Sequence, residues 1–294
     1  MTAVLVSGGT GLVGRYIVED LVSHGYRVKI ASRQSPPPGM FAHETEHVPL
    51  TLDPDANQVD IFDDVYYFVH AAFSHIPGRY RGGEGDDPAS FRRANLEATT
   101  SLFEAARDAG VSRCVFLSSR AVYDGVPATA SLNENAELAP TSLYGEVKLL
   151  AEQVLSAMTQ PGFSGTSLRV TGVYGDLRPN KWDEMIADYL AGKPVPSRAG
   201  SEVHGRDVAA AVRLMLETES AKVAGEVFNV SDIVTDTHDV LELARLAAGS
   251  KNPLPEPADK TSVRTMAIDK LRALGWVPGG WPLFNETVAK LARD

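Results

Sequence analysis

The stretch Val4-Leu-Val-Ser-Gly-Gly-Thr-Gly-Leu-Val-Gly14 sets the architecture of this chain. An apolar run typical of a β-strand leads into glycines at positions 8, 11 and 14, and a helix-like pattern from Tyr16 to His24 follows directly. The first glycine permits a tight turn, the second lets a pyrophosphate approach the backbone, and the third lets the helix pack on the strand. The stretch therefore predicts a dinucleotide site at the start of an α/β sheet.

Strands and helices alternate from residue 2 to about residue 170. This pattern predicts an α/β fold, a Rossmann-type doubly wound parallel sheet with a smaller C-terminal substrate-binding lobe. We expect the dinucleotide-binding domain to span 1–170 and to be rejoined by about 204–232. The segments 171–203 and 233–294 are expected to form the lobe, because the regular alternation breaks after Gly175.

The dinucleotide is expected at the carboxyl ends of the strands, where the sequence offers small or polar residues. From the glycine turn, the predicted contacts are Gly8, Thr10, Gly11, Leu12, Val13 and Gly14. From later strand ends they are Ser32, Arg33, Leu52, Ala71, Ala72, Ser118 and Val170, together with Tyr144 and Lys148.

The end of the second predicted strand, Tyr26–Ser32, bears on the type of cofactor. An acidic residue is expected there when the ribose carries a free 2′-hydroxyl, but this chain has Ser32 followed by Arg33. Arg33 would donate to a 2′-phosphate, with Arg15 as a helper, so we predict NADP(H) and keep NAD as possible. The alternative is that Arg33 is a solvated strand end.

The composition excludes several classes of function. The chain has 294 residues, with 28 basic and 38 acidic residues and a net charge of −10, which argues against a nucleic-acid or anionic-membrane surface. Cys114 is the single cysteine, and no signal peptide is apparent, so we expect a cytoplasmic protein. His70 and His75 lack acidic or cysteine partners at ligand spacing, so no metal site is predicted.

The least regular stretch lies between Ile76 and Pro88. It is interpreted either as a lid whose Arg79 or Arg81 meets an anionic substrate, or as a solvated insertion. The sequence does not separate these two interpretations.

Tyr144 and Lys148 lie four residues apart in a run with helical apolar spacing, so they share one helix face. An unperturbed tyrosine titrates near pH ~10, and a nearby cation favours its phenolate. Ser119 ends a strand-like run upstream, and the three side chains could converge beside a hydride carrier. A tyrosine and a lysine at this spacing are also common on ordinary helices.

The chain resembles the extended short-chain dehydrogenase/reductases, the NAD-dependent epimerase/dehydratase family, over essentially its whole length. The resemblance implies that Tyr144 is the catalytic acid/base, that Lys148 holds the ribose and lowers the pKa of the phenol, that Ser119 bonds the reacting oxygen and that Asn95 supports them. The matching segments are Ser7-Gly-Gly-Thr-Gly-Leu-Val-Gly14, His70-Ala-Ala72, Asn95, Leu117-Ser-Ser-Arg-Ala-Val-Tyr123, Tyr144-Gly-Glu-Val-Lys148, Leu168-Arg-Val-Thr-Gly-Val-Tyr-Gly175 and Val203-His-Gly-Arg-Asp-Val208.

Departures from the family pattern narrow the expected chemistry. Arg120 and Ala121 stand where the dehydratase branch has an acidic pair, which argues against water elimination. Gly172 and Gly200 stand where nucleotide-sugar enzymes commonly have an asparagine and an arginine, which argues against a bound nucleoside diphosphate. Arg178 or Arg198 could replace the missing arginine.

The sequence thus predicts an oxidoreductase that prefers NADPH and acts on a sugar-like or other small alcohol or carbonyl substrate. One alternative is a nucleotide-sugar or sugar epimerase with tightly bound NAD, and another is a non-catalytic dinucleotide-sensing regulator. The family resemblance also suggests a homodimer, with helices 88–109 and 142–159 paired across a twofold axis. The identity of the substrate cannot be read from the sequence.

Overall fold

The computed structural model describes residues 1–76 and 84–293. Its centre is a seven-stranded sheet in which all neighbouring strands are parallel, in the order β3-β2-β1-β4-β5-β6-β9. This sheet confirms the predicted α/β architecture. Its strands are β1 (Ala3–Ser7), β2 (Arg27–Ser32), β3 (Glu46–Pro49), β4 (Tyr67–His70), β5 (Arg113–Ser119), β6 (Ser164–Val170) and β9 (Val227–Val230).

A second sheet of three strands follows β6 in the chain. Its middle strand pairs in parallel with one neighbour and antiparallel with the other. The strands are β7 (Gly172–Tyr174), β8 (Ala199–His204) and β10 (Ile233–Asp236), in the order β10-β8-β7. Only the residue Thr171 separates β6 from β7, so the second sheet starts at the carboxyl end of the first.

The α-helices differ widely in length. They are α1 (Leu12–Ser23), α2 (Pro88–Arg92), α3 (Ala98–Asp108), α4 (Leu143–Ala157), α5 (Asp183–Leu190), α6 (Gly205–Glu217), α7 (Ser220–Val223), α8 (Thr237–Ala248), α9 (Asp269–Arg272) and α10 (Gly280–Leu291). None of the helices in the described ranges is long and apolar enough to cross a membrane.

The large sheet is covered on both faces, as the near-continuous apolar strands require. Helices α1 and α6 pack on one face, where Ile17 and Val212 belong to the same buried cluster as Val4. Helices α3 and α4 cover the other face, where Leu102 and Leu155 belong to the same buried cluster as residues of β1, β4 and β5. A separate cluster joins α5, α8 and α10 through aromatic and aliphatic side chains.

Three elements are short or irregular. Strand β3 ends at Pro49, although the Leu50 N–H still donates to the Ser32 carbonyl oxygen. The helix predicted from 88 to 109 contains a π-helical turn, Arg93–Glu97, between α2 and α3. Helix α9 is a single turn, and Gly275, three residues after its end, lies in the left-handed region at φ +96°.

Candidate active site

The glycine turn after β1 brings three backbone segments into close contact. Gly8 has φ +71°, and a Cβ atom there would lie 2.7 Å from the Cα atom of Ala72. A Cβ atom on Gly14 would lie 2.1 Å from the Gly8 carbonyl oxygen, which also accepts the Gly11 N–H over 2.9 Å. These positions tolerate no side chain, as expected for a turn that must approach another molecule closely.

The amino end of α1 fits a diphosphate. Gly11 is the N-cap residue, and no side chain caps the helix, so the first N–H groups of α1 remain directed at the turn. A helix N-terminus with free N–H groups favours an anion. Thr10 precedes this N-cap, and Leu12 and Val13 begin the helix, so the predicted turn residues lie together.

The predicted residues at the later strand ends lie along the same edge of the sheet. The Ala71 N–H donates to the Ser7 carbonyl oxygen over 3.1 Å, which brings the end of β4 beside the glycine turn. Ser119 pairs in register with Val170, so the ends of β5 and β6 are adjacent. Ser118, just before, is 5% exposed.

The residues predicted to recognise a 2′-phosphate do not all have the predicted positions. The Ser32 hydroxyl donates to the Gln34 carbonyl oxygen over 2.8 Å, and the Arg33 side chain is exposed. Leu52 is half-buried against the core. Arg15 differs from the expectation: it is 8% exposed, and its guanidinium donates to the carbonyl oxygen of Pro179 over 3.3 Å, so it is held in the segment after β7.

Tyr144 and Lys148 lie one helical turn apart at the start of α4. The Ser142 hydroxyl caps this helix by accepting the Gly145 N–H over 3.2 Å. The ring of Phe73 lies edge-on to the Tyr144 ring at 5.2 Å, and the Lys148 Nζ atom lies 4.4 Å from the same Phe73 ring. Both side chains therefore share the helix face that packs against the segment after β4.

Ser119 lies close to α4 because the short turn that follows it packs on this helix. Its hydroxyl accepts the Ala121 N–H over 3.1 Å and so caps a 3₁₀ turn. A Cβ atom on Gly145 would lie 2.7 Å from the Ala121 carbonyl oxygen. The turn after Ser119 therefore packs directly against the residue that follows Tyr144.

Lys148 is the most perturbed cation of the site. It is 5% exposed, and burial lowers its pKa from the ordinary 10.5 to about 7, while the negative charge of Glu152 opposes the decrease. Its Nζ atom also lies 4.7 Å from the Phe116 ring. An ammonium buried among aromatic faces retains some of the stabilisation it loses from water.

Asn95 lies on the π-helical turn and fixes the segment after β4. Its Oδ1 atom accepts the Ser74 N–H over 2.6 Å, and its Nδ2 atom donates to the Ser74 carbonyl oxygen over 2.8 Å and to the Phe91 carbonyl oxygen over 3.1 Å. Asn95 is 2% exposed. Its bonds therefore hold Ser74, which is next to Phe73 in the chain.

The two histidines excluded as metal ligands have different surroundings. His70 is 1% exposed and is hydrogen-bonded to the hydroxyls of Ser7 at 2.6 Å and Thr99 at 3.0 Å. Burial lowers the pKa of His70 to about 3, so it is neutral at physiological pH. His75 is half-buried. The described part of the chain contains no group of three side chains suited to a metal ion.

The residues proposed to close over the site, Arg79 and Arg81, lie outside the described residues. The two interpretations of that loop both stay predictions.

Two glycines that depart from the family pattern flank one carboxylate. A Cβ atom on Gly172 would lie 2.5 Å from a carboxylate oxygen of Glu202, and one on Gly200 would lie 3.4 Å from the other oxygen. Glu202 is ion-paired with Lys181. Sequence reasoning missed this carboxylate, because Glu202 lies opposite Gly172 only through the pairing of β7 with β8.

Arg178 and Arg198 are considered as replacements for the arginine that is missing at Gly200, and their surroundings differ. Arg178 Nη2 donates to the Leu291 carbonyl oxygen over 2.6 Å, and Nη1 lies 3.2 Å from an Asp183 carboxylate oxygen. Arg198 lies close enough to Lys181 for its charge to lower the pKa of that lysine, although burial is the larger cause.

Known proteins share both the sequence pattern and the fold. A family model described as the NAD dependent epimerase/dehydratase family matches residues 4–231. A UDP-glucose 4-epimerase of Corynebacterium glutamicum is 28% identical, over 93% of this chain and 90% of that protein.

Two solved structures align with nearly the whole chain. The UDP-glucose 4-epimerase of Thermus thermophilus in complex with NAD has a TM-score of 0.80 at 26% identity, covering 99% of both chains. MoeE5 in complex with UDP-glucuronic acid and NAD has a TM-score of 0.81 at 26% identity, again over 99% of both chains.

These findings confirm the resemblance drawn from the motifs. The protein is an enzyme of the extended short-chain dehydrogenase type, and the residues of the glycine turn fit the nicotinamide dinucleotide that such enzymes use. With a family model matching most of its length, the chain belongs to the NAD-dependent epimerase/dehydratase family.

Proposed function

We propose that this protein transfers a hydride at the carbon of a secondary alcohol or ketone, with Tyr144 as the acid/base. One observation carries the proposal: Tyr144 and Lys148 share the face of α4 that contacts Phe73, next to the turn that follows Ser119. We assign the three-stranded sheet with α5, α8 and α10 to a substrate-binding lobe, because it begins where β6 ends.

In this proposal each side chain acts on one atom. The dinucleotide, when bound, supplies or accepts the hydride, and the turn at Gly8, Gly11 and Gly14 would hold its diphosphate. Tyr144 takes the proton of the substrate hydroxyl, and the Lys148 cation favours the phenolate form that can do so. Ser119 accepts the Ala121 N–H with a lone pair, so its hydroxyl proton can bond the reacting oxygen.

The relatives support epimerisation of a sugar with retained cofactor over the NADPH-dependent reduction expected from the sequence. The C. glutamicum relative is a UDP-glucose 4-epimerase, and both solved structures hold NAD. An epimerase returns the hydride to the same carbon, so it needs no external cofactor turnover. Purified protein should then carry near-stoichiometric dinucleotide and should convert substrate without accumulating reduced cofactor.

The second candidate is a net NADP(H)-dependent oxidoreductase, and the end of β2 favours it. No carboxylate directly follows β2, and the exposed Arg33 could donate to a 2′-phosphate. We expect Arg33→Ala to weaken NADPH binding by about tenfold or more and to leave NADH binding unchanged. Arg27→Ala, at the opposite end of β2, is the control, and tighter binding of NADH than NADPH by the wild type would contradict this candidate.

We propose a sugar-like substrate without a nucleoside diphosphate. The space beside Gly172 and Gly200 is taken by the Glu202 carboxylate, which would repel a phosphate, and its partner Lys181 is already paired. Free hexoses and polyols should therefore turn over, and UDP-glucose should not. If UDP-glucose is the substrate and Arg198→Ala raises its KM, Arg198 supplies the missing charge and this part of the proposal is wrong.

Tyr144→Phe tests the proposal as a whole. Removing the hydroxyl should lower kcat by about 10²-fold to 10⁴-fold, while dinucleotide binding, followed by fluorescence, persists. Tyr66→Phe, a change at an exposed tyrosine, is the matched control. Retained turnover in Tyr144→Phe would assign the acid/base role to another group, whereas a wild type that binds the dinucleotide and turns over no substrate would favour the dinucleotide-sensing regulator.

We also propose a homodimer whose interface is formed by the helical segment 88–108 and α4. We place it in a reducing compartment such as the cytosol, which suits the buried thiol of Cys114. Sedimentation that gives a mass near the 31.6 kDa of one chain would rule out the dimer.

A further inference from the structure

Glu152 lies beneath the candidate active site and has no role in the function proposed above. It is 3% exposed and follows Lys148 by four residues on α4, so the two share a helix face. Its carboxylate accepts Arg169 Nε–H over 3.1 Å and Nη2–H over 2.7 Å. The Ser118 hydroxyl donates to the same carboxylate. One buried carboxylate therefore ties α4 to the ends of β5 and β6.

The network continues across the sheet from Arg169. Its Nη1 atom donates to the Tyr123 hydroxyl over 2.7 Å, and the Tyr123 hydroxyl lies 2.9 Å from the Asn229 Oδ1 atom of β9. A buried ion pair is seldom more stabilising than apolar residues of the same size. Packing alone therefore does not account for these charges directly under the strand ends that carry the site.

The surroundings of Lys148 make its protonation depend on the charge of Glu152. Of the described groups, only Glu152 raises the pKa of Lys148, and burial acts in the opposite direction. The other titratable or charged groups near the ammonium are two histidines, an arginine and the tyrosine of the site. They are His70 and His75 from β4 and the segment after it, whose pKa values burial lowers, Arg169 on the far side of Glu152, and Tyr144 on α4, whose phenolate is the form that Lys148 is proposed to favour.

We propose that Glu152 is a positioning residue: its buried negative charge keeps Lys148 in the ammonium form beside Tyr144, and its bonds to Arg169 and Ser118 fix where that charge lies. The inference rests on the proposed hydride transfer, in which the Lys148 cation favours the Tyr144 phenolate.

Glu152→Gln tests the proposal, since it removes the charge and nearly preserves the shape. We expect the alkaline limb of the kcat/KM profile to move to lower pH by about one unit. The same shift should appear without turnover in an NMR titration of the Lys148 side chain, assigned by comparison with Lys148→Met. Glu104→Gln, the same change at an exposed site on α3, should leave both measurements unchanged.

Glu152→Asp separates positioning from a purely structural role. It keeps the charge and loosens the bonds to Arg169, so the Lys148 titration should stay close to that of the wild type. A structural role instead predicts that both variants lose activity equally at every pH, with no shift of the limb, and that outcome overturns the proposal.

The wild-type titration decides the question even if the variants do not fold. A Lys148 that is already neutral at the pH of full activity, despite the buried carboxylate four residues away, is not kept in the ammonium form and would overturn the proposal. Because this titration does not depend on turnover, its failure is distinct from failure of the proposed function, which Tyr144→Phe tests by itself.

Discussion

The Lys148 ammonium donates a hydrogen bond to the Leu117 carbonyl oxygen over 2.7 Å. Leu117 is two residues before the end of β5, so this bond fixes the start of α4 against the strand that leads to Ser119. An ammonium has three N–H donors, and this bond uses one of them. The lysine can therefore hold the helix in place and still donate to a ribose hydroxyl.

Lys148→Met should separate the effect of Lys148 on stability from its effect on turnover. The substitution keeps an unbranched apolar side chain. It leaves the Leu117 carbonyl oxygen without its partner but also removes a charge whose burial is unfavourable, so the free energy of unfolding should fall by no more than about 1–3 kcal/mol. Turnover should fall by about 10²-fold or more, because the phenolate loses its cation. Denaturant unfolding and kcat measure the two effects, and Lys193→Met, at an exposed lysine, is the control. Wild-type turnover in Lys148→Met would contradict the role assigned to the charge.

Gly14→Ala should weaken dinucleotide binding. The added methyl group would lie 2.1 Å from the Gly8 carbonyl oxygen, so the turn must open. We expect the dissociation constant for the dinucleotide to rise at least about tenfold, or ~1.4 kcal/mol, as measured by calorimetry. In Gly249→Ala the change lies at the C-cap of α8, where φ is +64° and the space is open, so only stability should decrease. Equal cofactor affinity in the two variants would exclude the turn as the binding site.

Asn95→Ala should loosen the segment that carries Phe73. The substitution leaves the Ser74 N–H and carbonyl oxygen without their Asn95 partners, which should lower the free energy of unfolding by about 1–3 kcal/mol. Hydrogen exchange at the Ser74 amide measures the local effect. Asn95→Asp keeps the acceptor for that amide, so it should keep the slow exchange that Asn95→Ala loses. Unchanged exchange in Asn95→Ala would show that the segment is held by other contacts.

The sequence predicted the parts of this protein that depend on local chemistry. The glycine turn, the helix face shared by Tyr144 and Lys148, and the order of strand and helix follow from spacing and periodicity alone. Arg15 was misplaced because its direction depends on carbonyl oxygens more than 160 residues away, at Arg178 and Pro179. The position of the Glu202 carboxylate beside Gly172 likewise depends on the pairing of β7 with β8, which cannot be read from one sequence.

Glu152 falls between these two cases. Its spacing from Lys148 could be read from the sequence, and a carboxylate on the buried face of an amphipathic helix is a signal that it has a charged partner. The partner itself, Arg169, lies on another strand and could not be identified.

His70 should make the stability of the protein depend on pH. Its pKa is about 3 in the folded state and near 6.5 in an unfolded chain, so the unfolded chain binds one more proton in between. The stability contributed by neutral His70 is therefore fully present above pH ~6.5 and is lost as the pH falls towards 3, by up to ~1.4 kcal/mol per pH unit. Denaturant unfolding from about pH 7.5 to about pH 5.5 covers the start of this window.

The comparison with His70→Gln isolates this contribution from other groups. His204, whose pKa burial lowers to about 4, titrates in the same direction and is present in both proteins. The wild type should therefore lose stability more steeply than His70→Gln as the pH falls, while His43→Gln, at an exposed histidine, should follow the wild type. Parallel curves for wild type and His70→Gln would mean that His70 binds a proton in the folded state, and that its bonds to Ser7 and Thr99 do not require the neutral ring.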